Sequence, residues 1–102
     1  MNREIKFRIW NDYDKKMIYW NELLEKNLAN IFTIPAYNKW LTQYTGLHDK
    51  NGKEIYEGDI VQQFNVKENG IIEYKYGQFG IKCLGMFWNI HPTKIVVVRK
   101  YI

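Results

Sequence analysis

The chain is poor in cysteine and proline and contains no serine at all. Among its 102 residues there are one cysteine, Cys83, and two prolines. A single cysteine excludes an intramolecular disulfide, so the chain is not a disulfide-stapled secreted scaffold. The absence of serine excludes hydrolysis by a serine nucleophile.

Long apolar runs are also absent. The longest, such as residues 95–98, contain four apolar residues, whereas a membrane-spanning helix needs about 20. The opening residues are polar and charged, and no run of signal-peptide length follows them. We therefore expect a cytoplasmic protein without a membrane partner.

Acidic residues stop at Glu73. Residues 1–73 contain ten basic and eleven acidic residues, whereas the last 29 contain five basic residues and no acidic one. The whole positive excess of a chain with net charge +4 thus lies in its carboxy-terminal third. Two interpretations stay open: a surface that faces an anion such as nucleic acid, or an ordinary solvated face.

Aromatic side chains, by contrast, are abundant. Four tryptophans, eight tyrosines and five phenylalanines make up 17% of the residues, and 46% of all residues are apolar. This composition is typical of a folded globular chain, and the length suits one core. Large rings fill the core of a thin β-domain, but tyrosine and tryptophan are also enriched at interfaces.

Alternation of polar and apolar residues indicates β-strands in the first half of the chain. Residues 3–10 place Ile5, Phe7 and Ile9 on one side and Arg8 on the other, and residues 17–20 read as the return strand of a hairpin. Asn21 is a favourable N-cap for a short helix. Further strands are predicted at residues 31–34 and 38–45.

The second half contains glycine-rich turns roughly every ten residues, as small barrels and sandwiches do. We predict a tight turn at residues 54–57 and strands at residues 59–66, 71–76, 79–88 and 94–101, the last one central and covered on both faces. The predicted fold class is mainly β: a small SH3-like or similar β-barrel with an N-terminal β-hairpin and one short helix. We expect a single domain over residues 1–102, with the hairpin and helix at about 1–45 and the barrel at about 46–102.

The central stretch, residues 44–61, reads YTGLHDKNGKEIYEGDIV and is dense in turn chemistry. Its glycines suit backbone conformations that other residues reach only at a cost, and its Asp and Asn side chains can bond their own loop backbone. An architectural role and a binding loop both explain such a motif. The residues to which we assign the structural role are Gly46, Asp49, Asn51, Gly52, Gly58 and Asp59.

This motif resembles the signature of the YopX family of phage and prophage proteins. The opening, residues 3–10, is similar to that family as well, so the resemblance covers residues 3–61 well and the carboxy-terminal third in outline. It implies a β-rich fold with a small SH3-like barrel, a phage-derived protein in the host-cell cytoplasm, and no established reaction. It supplies no catalytic residue.

The residues that could carry chemistry are scattered. Cys83, His48 and His91 have no zinc-ligand spacing, and no glycine loop has the context of a phosphate-binding loop. Acid–base catalysis by Glu54 with Glu57, or by Glu57 with Asp59, needs burial that a turn does not offer. We expect no metal, no cofactor and no enzymatic activity.

Two function hypotheses remain. The first is a non-enzymatic protein-interaction or self-associating module whose partner is a phage or host protein or a second copy. The alternative is a nucleic-acid-binding barrel, in which rings stack on bases and basic side chains contact phosphates. Its candidate face comprises Tyr74, Lys75, Tyr76, Phe79, Lys82, Trp88, Lys94, Arg99 and Lys100.

Overall fold

Short antiparallel strands dominate the computed structural model, which describes residues 4–11, 15–25 and 41–99. The helical elements within these residues are α1 (Trp20–Leu24) and a 3-10 helix (Pro92–Lys94). The strands are β1 (Phe7–Asn11), β2 (Lys16–Ile18), β3 (Leu41–His48), β4 (Glu54–Tyr56), β5 (Ile60–Gln63), β6 (Gly70–Lys75), β7 (Gln78–Cys83), β8 (Met86–Trp88) and β9 (Ile95–Arg99).

The strands form two sheets with the orders β2-β1-β3-β4 and β8-β7-β6-β5-β9. The curled sheets make a half-barrel, so the predicted mainly β, barrel-like fold class is confirmed. The single-domain assignment stays a prediction. Predicted features at residues 26–40 and Lys100 lie outside the described residues.

The main core lies on one face of the five-stranded sheet. It combines aliphatic side chains with the one thiol, and its members are Ile55, Val61, Ile72, Ile81, Cys83, Ile95 and Val97. A smaller cluster, Ile9 and Leu23, packs between β1 and α1. Ile55 belongs to β4 and joins the main core, so the edge strand of one sheet helps to cover the other.

Two-residue turns divide the last part of the chain into hairpins. In both turns, Tyr76–Gly77 and Leu84–Gly85, the two central residues have positive φ, between 54° and 78°. Such turns match the twist of the flanking strands. The single strand predicted at residues 79–88 is therefore wrong, because Leu84 and Gly85 form a hairpin turn between β7 and β8 rather than a bend.

Three other local predictions need correction. Residues 54–56 form the strand β4 rather than a tight turn. The helix α1 begins at Trp20, with Tyr19 as its N-cap, whereas the predicted N-cap was Asn21. The strand β9 lies at the edge of its sheet, not at its centre. An apolar run predicted double burial, but Val98 is exposed because only one face of β9 is covered by the core.

Candidate functional site

The carboxylate of Asp49 organises the loop between β3 and β4. Its Oδ1 accepts hydrogen bonds from the backbone N–H groups of Asn51 and Lys53, at 2.8 and 2.9 Å. Its Oδ2 accepts one from the N–H of Val97 in β9, at 2.9 Å. The N–H of Lys50 donates to the carbonyl of Ile95, so this loop covers the outer edge of β9. Covering an edge strand protects it from pairing with other chains.

These contacts set the acidity of Asp49. Burial alone would raise the pKa of this carboxyl, but the three N–H donors and the charge of Lys53 outweigh it and lower the pKa below its ordinary value. Gly52 closes the same turn at φ 85°, with its N–H donating to the carbonyl of Asp49. Asn51 contributes its backbone N–H to the turn.

Asp59 joins the motif to the amino-terminal hairpin. Its Oδ1 lies 2.5 Å from Nη2 of Arg8, and both side chains are fully buried. Its Oδ2 accepts the N–H of Tyr56, at 2.8 Å. Arg8 also donates to Thr42 Oγ1 and lies over the ring of Tyr56. The alternation in residues 3–10 predicted Arg8 on a polar face, and this contact buries the Arg8 side chain.

Glu54, another acid of the motif, has partners different from those of Asp59. Glu54 forms an ion pair with Lys6 and accepts a hydrogen bond from the Tyr56 hydroxyl at 3.3 Å. Burial of Lys6 would lower its pKa, but Glu54 and then Glu4 raise it above the ordinary value. Burial, followed by the charge of Glu54, raises the pKa of Tyr56 and of Tyr44. Glu54 and Asp59 thus form ion pairs with different basic side chains, Lys6 and Arg8.

The residues of the predicted nucleic-acid face lie on different surfaces. Side chains alternate along a strand, and cross-strand partners share a face. The register pairs Tyr74 with Phe79 and Ile81 with Trp88, which places these three rings on the face that carries the core residue Ile81.

Lys75 and Lys82 project from the opposite face of the same strands, together with Phe87, which is paired with Lys82. Tyr76 lies on this side too, since its ring is 5.9 Å from that of Phe87. Arg99 stands opposite Ile60 at the far end of β9 from Lys94. The sequence interleaves rings and lysines, but the pleat separates Tyr74, Phe79 and Trp88 from Lys75 and Lys82.

A second surface also combines a ring with lysines. An open groove of about 810 Å³ lies where β5 ends and β9 begins. We call it the lysine groove. Its lining includes three lysines and no acidic residue; the lining residues are Lys50, Gln62, Gln63, Phe64, Asn65, Val66, Lys67, Thr93, Lys94 and Val96.

A tight turn presents Phe64 to this groove. The N–H of Val66 donates to the carbonyl of Gln63, and Asn65, at the third position of the turn, has φ 68°. Asparagine tolerates this conformation better than most residues. The N–H of Phe64 donates to the carbonyl of Lys94, which ties the turn to the 3-10 helix. The Phe64 side chain is 71% exposed although its backbone is fixed.

Sequence reasoning found Lys94 but missed Phe64, Lys50 and Lys67. The sequence signal that could have indicated Phe64 was a phenylalanine followed by asparagine at the end of a strand. A ring at such a position is not needed to fill the core. The lysines of the groove come from three separate segments of the chain. The pairing of β5 with β9 and the hydrogen bonds from the β3–β4 loop to β9 bring these segments together.

The described part of the chain offers few side chains that could bind a metal ion or react as a thiol. Within residues 4–11, 15–25 and 41–99, no group of three or more His, Cys, Asp or Glu side chains is arranged to hold a metal ion. Cys83 is buried, and its Sγ lies 3.7 Å from the carbonyl of Glu68. No helix among these residues has the length and apolar character needed to cross a bilayer.

Comparisons with known proteins identify the family and the fold. No curated protein matches the chain. Among solved structures it is similar to protein EF1440 from Enterococcus faecalis, with 21% identity and a TM-score of 0.63 over 97% of this chain and 94% of that chain. At this identity the likeness shows the fold alone.

The family described as YopX protein matches residues 6–101, which extends the resemblance across the carboxy-terminal third. The chain therefore belongs to the YopX family.

Proposed function

We propose that this protein is a non-enzymatic interaction module that binds a segment of another protein in the lysine groove. The observation that carries the proposal is the exposed ring of Phe64 at a concave surface lined by three lysines. Exposed aromatic anchors in pockets supply most of the binding energy of many protein interfaces. The proposal includes the phage or prophage origin and the host-cell cytoplasm that the family resemblance implies.

The scaffold around Phe64 suits a binding role. Backbone hydrogen bonds from Phe64 to Lys94 and from Val66 to Gln63 hold the turn in place before any partner arrives. A pre-organised surface loses less conformational entropy on binding than a mobile one. The amide side chains of Gln62, Gln63 and Asn65 add hydrogen-bonding groups around the ring.

Comparative affinity capture tests the proposal. The baits used with host-cell extract are wild-type protein, Phe64→Ala and the control Tyr76→Ala, which removes another highly exposed ring elsewhere. A partner is accepted only when it is purified and binds directly in calorimetry. We expect Phe64→Ala to weaken that binding by about 30-fold or more, as for a hot-spot ring, and Tyr76→Ala to leave it unchanged.

Equal binding by wild-type protein and Phe64→Ala would contradict the proposal. Loss of binding in Tyr76→Ala but not in Phe64→Ala would move the interface to the β6–β8 region. Light scattering of the wild-type protein tests for self-association. If it shows a dimer that Phe64→Ala abolishes, the partner is a second copy of the chain. Capture of oligonucleotides in place of a protein would favour the nucleic-acid alternative.

A further inference from the structure

We infer that the segment bound in the lysine groove is acidic and carries an apolar or aromatic side chain that packs on Phe64. This inference rests on the proposed function and names the chemistry of the partner.

The charge of the groove is unbalanced. The ammonium groups of Lys50, Lys67 and Lys94 come from the β3–β4 loop, the segment after β5 and the 3-10 helix, and all three side chains belong to exposed residues. Within the part of the chain that the structure describes, none of the three takes part in an ion pair. Three uncompensated cations around one concavity favour an anionic occupant.

The wall of the groove is not uniformly polar. Phe64 contributes an exposed ring, and Val66 and Val96, both partly buried, also line the groove. Burying the ring against an apolar side chain of a partner removes apolar surface from water, which inorganic anions cannot do. The groove thus suits a ligand that combines carboxylates with at least one apolar group.

A protein segment fits these features better than a nucleic acid does. Single-stranded nucleic acids are held by successive stacked rings along a basic track, and the groove offers Phe64 alone. The rings of Tyr74, Phe79 and Trp88 belong to β6, β7 and β8, on the other side of β5 from β9. The groove lining also contains no arginine, the residue best suited to bidentate phosphate contacts.

Fluorescence anisotropy with defined probes tests this inference. The probes are a labelled glutamate-rich peptide of about eight residues, ~27 Å when extended, with one central phenylalanine, the same peptide with every glutamate replaced by glutamine, and an oligothymidylate of similar length. We expect binding of the glutamate peptide that weakens as salt rises, and little binding of the other two probes.

Charge variants locate the interaction. Replacing Lys67 or Lys94 by glutamine should weaken binding of the glutamate peptide by about 2- to 5-fold each, the range for exposed ion pairs. The double variant Lys67→Glu/Lys94→Glu should weaken it by more than either single change. Lys75→Glu/Lys82→Glu, which changes the net charge equally on a different surface, should have little effect. All four substituted positions are exposed, and circular dichroism checks that each variant is folded.

The probes and variants distinguish the charge preference of the groove from its role as an interaction surface. If the glutamine peptide binds as well as the glutamate peptide, or if the two double variants behave alike, the acidic partner is wrong. If Phe64→Ala still loses its protein partner in that case, the interaction module stands and only its charge preference falls. Tighter binding of the oligothymidylate, or no binding of the glutamate peptide at all, overturns the inference.

Discussion

At the scale of single residues, the buried pair of Arg8 and Asp59 connects two distant parts of the chain. The residues are 51 positions apart, and their side chains also bond to Thr42 and to the backbone of Tyr56. A buried ion pair contributes little net stability when both partners are present, but removing one partner leaves an uncompensated charge. The pair therefore specifies how the amino-terminal hairpin meets the central motif.

Asp59→Asn is expected to destabilise the protein by about 3–5 kcal/mol, because it leaves the Arg8 charge buried without a counter-charge. Urea unfolding followed by tryptophan fluorescence measures the change. Arg8→Met should also destabilise, and the double variant should cost clearly less than the two single changes added together. Additive costs would show that the two residues act independently and would contradict this account.

Asp49 makes stability depend on pH. Its pKa is lower in the folded chain than in the unfolded chain, so its contribution is complete above the unfolded value of about 4 and is lost as pH falls through the folded value. We expect Asp49→Asn to reduce stability at neutral pH, by about 1.5–3 kcal/mol if one charged hydrogen bond is lost.

The pH dependence separates this role from simple packing. Between pH 5 and about pH 3, wild-type protein should lose more stability than Asp49→Asn, so the difference between the two shrinks in acid. Urea midpoints across that interval give the measurement. A difference that stays constant with pH would mean that the carboxylate charge does not matter.

At the scale of elements, the turns were the most predictable features. The sequence predicted special backbone conformations for the three motif glycines, and Gly46, Gly52 and Gly58 have φ between 85° and 90°. Turn chemistry is local, so one sequence suffices to predict it. The turn of Leu84 with Gly85 was missed because leucine has no preference for that conformation.

Pairing between elements was less predictable, since it depends on residues that are far apart in sequence. The apolar run in β9 predicted a central strand, but the loop at Asp49 and Lys50 covers its outer edge in place of another strand. The sequence of β4 predicts a turn because the strand has three residues and lies between two turns. Its antiparallel pairing with β3 identifies this segment as a strand.

Gly80 tests how closely β7 and β8 approach. A methyl group at this position would lie 2.4 Å from the ring of Phe87 and 2.8 Å from the carbonyl oxygen of Trp88. Because a backbone atom is involved, the strands must move apart, and we expect Gly80→Ala to cost about 1–3 kcal/mol. Thermal unfolding measures the cost.

Gly52→Ala is the matched control for Gly80→Ala. A methyl group there meets no atom within 4 Å, so only the unfavourable positive φ remains, and that penalty is about 1 kcal/mol. Adding Phe87→Ala to Gly80→Ala should recover part of the loss, because the ring is one of the two obstacles. No difference in cost between the two glycine substitutions, or no recovery, would contradict the close approach.

At the scale of the whole molecule, the half-barrel brings together charged residues that lie far apart in the sequence. The sequence places the positive excess after Glu73, yet two of the three groove lysines, Lys50 and Lys67, precede that residue. The strand pleat separates Tyr74, Phe79 and Trp88 of the predicted face from Lys75 and Lys82, whereas Tyr76 lies on the side of the lysines. A groove made of three segments leaves no local pattern for sequence reasoning to detect.

The most direct test of the groove as the binding surface is a nuclear magnetic resonance titration of the isotope-labelled protein with the glutamate-rich peptide. We expect shift changes in the backbone amides of residues 62–67 and 93–96 and of Lys50, with the amides of β6, β7 and β8 unchanged. Shift changes confined to β6, β7 and β8, or the absence of any change at saturating peptide, would contradict it.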